Sequence, residues 1–158
     1  MTRLAFDDLY NLAVSVGFPP GDSAVTAAAI AIAESNVPAT SPPTGNPEAV
    51  GDPTFGGSYG LWQVNHPAHP EYDIESLFDP TYNAKAALAI SNGGSNFTPW
   101  STYNSGAYKQ YLQVAPSSTP TNPTLQTAGI CLAILTVAGA TAYYIQNGLP
   151  APLKRAFR

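Results

Sequence analysis

Asp22-Ser23-Ala24-Val25-Thr26-Ala27-Ala28-Ala29-Ile30-Ala31-Ile32-Ala33-Glu34 is the stretch on which the fold turns. Eleven residues without a charge, rich in alanine and closed by one acid, read as a helix that is apolar on nearly every side. Such a helix belongs at the centre of a domain rather than on its face. Asp22 or Ser23 supplies a side chain able to cap its start. Before it, Leu4, Leu9, Leu12, Ala13 and Val16 recur at helical spacing, so about 5–16 is an amphipathic helix laid against the central one. Gly17-Phe18-Pro19-Pro20-Gly21 separates the two.

After Glu34 the pattern changes. Residues 36–57 are rich in Pro, Gly, Thr and Asn, a loop long enough to be expected to form a site. Residues 48–65 have room for a short hairpin. Asp79 as cap and Pro80 at the first helical position predict a helix over about 80–92, and a further helix is expected over about 104–113. Residues 1–113 thus form one mainly α domain. Residues 114–124, with three prolines among Ser, Thr and Asn, read as a linker.

From Leu125 to Ile145 no charged residue occurs. About 20 apolar residues in a helix span the roughly 30 Å hydrocarbon core of a bilayer. Tyr143 and Tyr144 suit one interface, and Lys154, Arg155 and Arg158 lie beyond them in a basic tail, 147–158. The expectation is one transmembrane helix over 125–146. The first residues, Met1-Thr2-Arg3-Leu4-Ala5-Phe6-Asp7-Asp8, lack the apolar core of a secretory signal.

Composition narrows the function. Hydrophobic residues make up 44% and charged residues 10% of the 158, against about 25% charged in ordinary domains; disorder needs the opposite balance. Ahead of the tail, three basic residues (Arg3, Lys85, Lys109) face ten acids, a net −7. A body so acidic offers nucleic acid no basic patch. The single cysteine, Cys131, excludes an internal disulfide framework. His66-Pro67-Ala68-His69 has its frame broken by proline and reads as loop rather than metal ligands; no metal or other cofactor is expected.

Glu34 is the residue with a chemical argument of its own. It ends an apolar helix, where burial and the negative end of the helix dipole both disfavour ionisation. A carboxyl that keeps its proton near neutral pH suits protonation of a glycosidic oxygen. Three segments accompany it in order: Ala33-Glu34-Ser35-Asn36, then Ser58-Tyr59-Gly60-Leu61-Trp62-Gln63-Val64-Asn65, then Trp100-Ser101-Thr102-Tyr103-Asn104-Ser105-Gly106-Ala107-Tyr108. Asp79-Pro80-x-x-Asn83 and Gly93-Gly94 lie between the last two.

Over roughly residues 5–113 this order resembles the lysozyme-like domain of soluble lytic transglycosylases and the related goose-type lysozymes, above all the versions in phage structural proteins. The resemblance implies a lysozyme-like fold. It makes Glu34 the general acid and then base. Gln63, with Ser58 near it, would hydrogen-bond N-acetyl or hydroxyl groups of the sugar, and Tyr103 would orient the Glu34 carboxyl. Tyr59 and Trp62 are candidate stacking faces for pyranose rings, as are Trp100 and Tyr108, with core packing the preferred role for Trp100.

The activity implied is cleavage of the MurNAc–GlcNAc β-1,4 bond of peptidoglycan. Hydrolysis ordinarily uses two carboxylates, and the candidates for a second, Glu48 and Asp52, lie in the loop. Transglycosylases resembling this domain need only one, so a 1,6-anhydro product is expected, with goose-type hydrolysis the alternative. A catalytically inactive wall-binding or structural membrane protein is the alternative of another class. A domain exported without a signal and anchored at its C-terminus fits the internal membrane of a phage particle, opening the wall locally at genome entry. The expected partners are then glycan strands, lipid, and other virion membrane or capsid proteins; the other setting is the host membrane with the domain facing the wall.

Overall fold

The computed structural model describes residues 2–51 and 56–113, together with a strand pair at 133–137 and 140–144. The chain divides into two compact units, Met1–Ser117 and Ser118–Arg158. In the first, α1 runs over Phe6–Val16 and α2 over Asp22–Ser35, with Ala24, Ala27 to Ile30 and Ala31 wholly buried. Alanine lets neighbouring elements approach the α2 backbone closely, and α1 does so through Phe6, Leu9, Tyr10 and Ala13. The cap of α2 differs from the expectation. Gly21 occupies the cap position and no side chain caps it; Ser23 instead donates its hydroxyl to the Gly94 carbonyl at 2.8 Å.

The long loop after α2 is tied down by polar groups. Ser35 is fully buried; its Oγ donates to the Ala31 carbonyl at 2.6 Å and accepts from the Asn46 N–H at 3.0 Å. Arg3 reaches into the loop, donating to Thr44 Oγ1 at 2.8 Å and Asn36 Oδ1 at 2.9 Å. The hairpin is present: β1, Ser58–Tyr59, pairs antiparallel with β2, Val64–Asn65, around a four-residue turn. The helix α3 spans Pro80–Ile90, with Asp79 accepting the Tyr82 N–H at 2.8 Å as its cap. The expected helix over 104–113 is corrected. A four-residue α4, Ser101–Asn104, comes first, and a 3-10 turn succeeds it at Ala107–Tyr111. Gly106, at φ 76°, breaks the run between them.

Asn83 joins α3 to the hairpin. It is fully buried, accepts the Trp62 N–H at 2.9 Å and donates to the carbonyls of Tyr59 and Leu77, each at 2.9 Å. Gly60 makes room for it. At φ 76°, any Cβ on Gly60 would run into the Asn83 amide and the Leu77 carbonyl. This mainly helical domain with one small two-stranded sheet fits a lysozyme-like fold.

In the second unit, strands β3, Ala133–Val137, and β4, Ala140–Tyr144, pair antiparallel. The helix expected over 125–146 is therefore not seen at those residues, whose Ile, Val, Thr and Tyr suit strands. The rest of that span, the linker and the basic tail lie outside the described residues. Among the described residues, no helix is long and apolar enough to cross a membrane.

Replacing Asn83 by Ala is expected to destabilise the domain by about 2 kcal/mol or more, because two buried backbone groups lose their partner at about 1–3 kcal/mol each and the part-buried Tyr59 carbonyl loses a third bond. Urea unfolding of the variant and wild type measures this; a change below about 1 kcal/mol would show that water replaces the amide.

Candidate active site

A cleft of about 380 Å³ opens beside the end of α2. Glu34 lines it, with Ser58 and Gln63 from the hairpin and Pro99, Trp100 and Ser101 from the segment entering α4. Asn65, Ala68 and His69 extend the hairpin side. Among the described residues Glu34 is the one carboxylate in the lining. Glu48 is exposed and is not part of it, and Asp52 lies outside the described residues.

Glu34 sits in the last turn of α2, half-buried. Thr102 Oγ1 donates to its Oε1 at 2.6 Å. Burial holds the Glu34 carboxyl above its ordinary value, and the Thr102 hydrogen bonds, from side chain and backbone, pull the other way with less effect. The neighbour expected to orient Glu34 was Tyr103, one residue further on. Its ring instead stacks on Tyr108 at 5.0 Å and meets Phe97 at 5.7 Å. The hydrogen bond comes from Thr102.

Trp62 is corrected from sugar platform to core. Its side chain is fully buried, stacks on Phe18 at 6.4 Å, and its indole N–H donates to the Ala27 carbonyl at 3.0 Å. Its own carbonyl accepts the Trp100 indole N–H at 2.7 Å, which places Trp100 in the core edge as preferred. Tyr59 packs edge-on against Phe78 at 5.9 Å and is not among the cleft residues. Tyr108 lies over Tyr103, also outside the lining.

Gln63 takes up φ 45°, a left-handed conformation uncommon outside glycine. Its Nε2 donates to the carbonyls of Ala49 at 3.0 Å and Gly60 at 2.8 Å. Rotating the amide would set its oxygen against both carbonyls, so the two bonds assign which atom is nitrogen. Both N–H groups are spent inside the protein.

The structure brings to the site four residues that the sequence motifs do not single out: Asn65, His69, Ser101 and Thr102. Asn65 was within reach only as the last residue of the quoted segment, since Gln63 belongs to the turn and strand alternation does not tie the two. His69 had no such signal. Its Nδ1 lies 3.3 Å from Glu71 Oε1 and its ring rests against Tyr72. Among the described residues no group of three or more His, Cys, Asp or Glu is placed to hold a metal ion.

Ionisation of Glu34 has a sign that stability can report. Folded, the carboxyl titrates above the 4.5 of an unburied glutamate. The ionised form therefore opposes folding: the penalty begins as pH rises past the unfolded value and is complete above the folded one. Glu34→Gln escapes it. The variant is expected to be more stable than wild type at neutral pH, with the advantage shrinking as pH falls toward 4.5. Urea midpoints across that range test this, and an advantage independent of pH would contradict it.

A family model described as lysozyme-like domain matches residues 10–102, a span that contains Glu34, Ser58, Gln63 and Thr102 and ends one residue before Tyr103. None of the curated proteins and none of the solved structures compared matches the chain. The matched span covers more than half of the chain and includes most of α1, all of α2, the hairpin, α3 and the start of α4. The chain belongs to the lysozyme-like domain family, and its activity is of that type, cleavage of glycosidic bonds in peptidoglycan.

Proposed function

We propose that the chain cleaves the MurNAc–GlcNAc β-1,4 bond without water, leaving a 1,6-anhydro end, with Glu34 as acid and then base. The observation that carries this reading is a cleft in which Glu34 is the one carboxylate among the described residues. In the first half, the protonated Glu34 gives its proton to the glycosidic oxygen as the bond to the anomeric carbon breaks. In the second, the Glu34 carboxylate takes the proton of the sugar's own C6 hydroxyl, whose oxygen closes on the anomeric carbon. The proton returns to Glu34 and no water enters. Burial favours the neutral acid for the first half, and the Thr102 hydroxyl supports the carboxylate for the second.

Gln63, Ser58 and Asn65 present amide and hydroxyl groups on the facing wall, suited to the N-acetyl and hydroxyl groups of the strand. Glu34→Gln is expected to lower cleavage of purified peptidoglycan by about 10²–10⁴-fold. Zymography of wild type beside the variant reads this, and equal clearing by both rejects Glu34 as the acid. Mass spectrometry of wild-type products then reads the mechanism: anhydro ends, lighter by one water, support it, whereas reducing ends make the enzyme a goose-type hydrolase.

The setting we propose is the internal membrane of a phage particle, with 125–146 as the anchor and local wall opening at genome entry as the role. Its support is in the sequence: a stretch without charge, a Pro-rich linker before it and Lys154, Arg155 and Arg158 beyond. Purified particles should contain the protein in a fraction released by detergent and not by high salt. Its absence from particles would reject the setting while leaving the chemistry standing.

A further inference from the structure

Gly51 lines the cleft opposite the turn that carries Gln63, and its N–H donates to the Ser58 carbonyl at 2.7 Å. Its backbone is not left-handed: Gly51 is not among the glycines of positive φ. Conformation therefore does not require glycine here; space does. A Cβ at position 51 would stand 2.7 Å from Gln63 Oε1 and 3.2 Å from Ser58 Cβ. A glutamine end usually swings away from such a contact. This one is held, because Nε2 is bonded to the carbonyls of Ala49 and Gly60, and moving Oε1 moves both bonds. Among the described residues no donor reaches Oε1 and no side-chain polar atom is fully buried without a partner, so Oε1 is not sealed off from solvent.

We propose that Gly51 is a positioning residue: its missing side chain keeps the pinned carbonyl oxygen of Gln63 open, and this corner of the cleft accepts one hydrogen bond from an N–H or O–H donor of the saccharide. The Gln63 amide takes a donor there and offers none, because its hydrogens are committed to the backbone. This rests on the saccharide reading of the cleft, and the test separates the two.

The test uses the Glu34→Gln chain, which binds without turnover, and follows binding of tetra-N-acetylchitotetraose and of cellotetraose by NMR titration. Adding Gly51→Ala should weaken chitotetraose binding about tenfold, near the upper worth of one neutral hydrogen bond. Gln63→Ala should do the same. Combining Gly51→Ala with Gln63→Ala should add nothing further, because Gly51 acts through the amide. Unchanged binding in the Gly51→Ala chain, or losses that multiply in the combination, overturns the proposal. Loss confined to chitotetraose identifies the donor as the acetamido N–H; equal loss with cellotetraose identifies a hydroxyl. If the Glu34→Gln chain binds neither sugar, the saccharide reading fails and the proposal with it. Should Gly51→Ala unfold, the free Glu34→Gln chain decides: slow exchange of the Gln63 side-chain amide protons, unchanged by sugar, supports the pinned acceptor, and exchange as fast as in a free glutamine overturns it.

Discussion

The hydrogen bonds of Trp62 are the constraint on which the site depends. Its ring lies in the core, and its indole N–H is fixed to the Ala27 carbonyl on α2, seven residues before Glu34. Seven residues are two helical turns, so Ala27 and Glu34 share a face about 10 Å apart along the axis. The Trp62 N–H is held by Asn83 from α3, and its carbonyl holds the Trp100 indole. Two residues beyond Trp100, Thr102 closes on the Glu34 carboxyl. One buried residue thus sets the helix, the hairpin and the α4 segment against one another, and the cleft is the space they leave. The three bonds made by Trp62 lie in the interior, where leaving one unmade costs the full desolvation of the group.

The same residue explains what could and could not be read from the chain. The helices α2 and α3 were legible because their signals are local: an apolar run in one, Asp79-Pro80 in the other. Glu34 was legible for the same reason, as the lone charge at the end of that run. The hairpin turn was not. Trp62 and Gln63 are adjacent, and a four-residue turn with Gln63 at φ 45° sends one to the core and the other to the cleft. No periodicity covers so short a segment, so an aromatic ring in a sugar-like motif looked like a platform. The step from Tyr103 to Thr102 failed likewise. In a helix of four residues, one position changes the direction by about 100°, and the aromatic stack of Phe97, Tyr103 and Tyr108 decides which residue turns inward. Gly106 ended the helix early for a reason that shows only in its backbone angle.

The residues flanking Glu34 in sequence do different work from their neighbours in space. Ser35 comes directly after the acid yet never faces the cleft; it is buried, bonded back to Ala31 and forward to Asn46. A serine after the acid therefore serves to stop α2 and hold the loop, which keeps the carboxyl at the helix end instead of carrying it onto another turn. Arg3 adds a second clamp on the same loop, from the other end of the domain sequence.

The role proposed for Glu34, first acid and then base, needs both forms of the carboxyl to be reachable, and its surroundings suit that requirement. Burial alone would hold the proton and make the second half slow, because the carboxylate would be an unsupported charge. A full set of donors, or a neighbouring cation, would hold the charge and leave no acid for the first half. The described cleft has burial as the larger influence and Thr102 as the single opposing side chain. Thr102 donates a hydrogen bond to the acid where the motif residues Gln63 and Tyr103 do not, and so is the side chain that opposes the effect of burial on Glu34. The nearness of Trp100 to Thr102 in sequence then has a physical meaning: the bond from Trp100 to Trp62 holds the backbone from which that one hydroxyl reaches the acid.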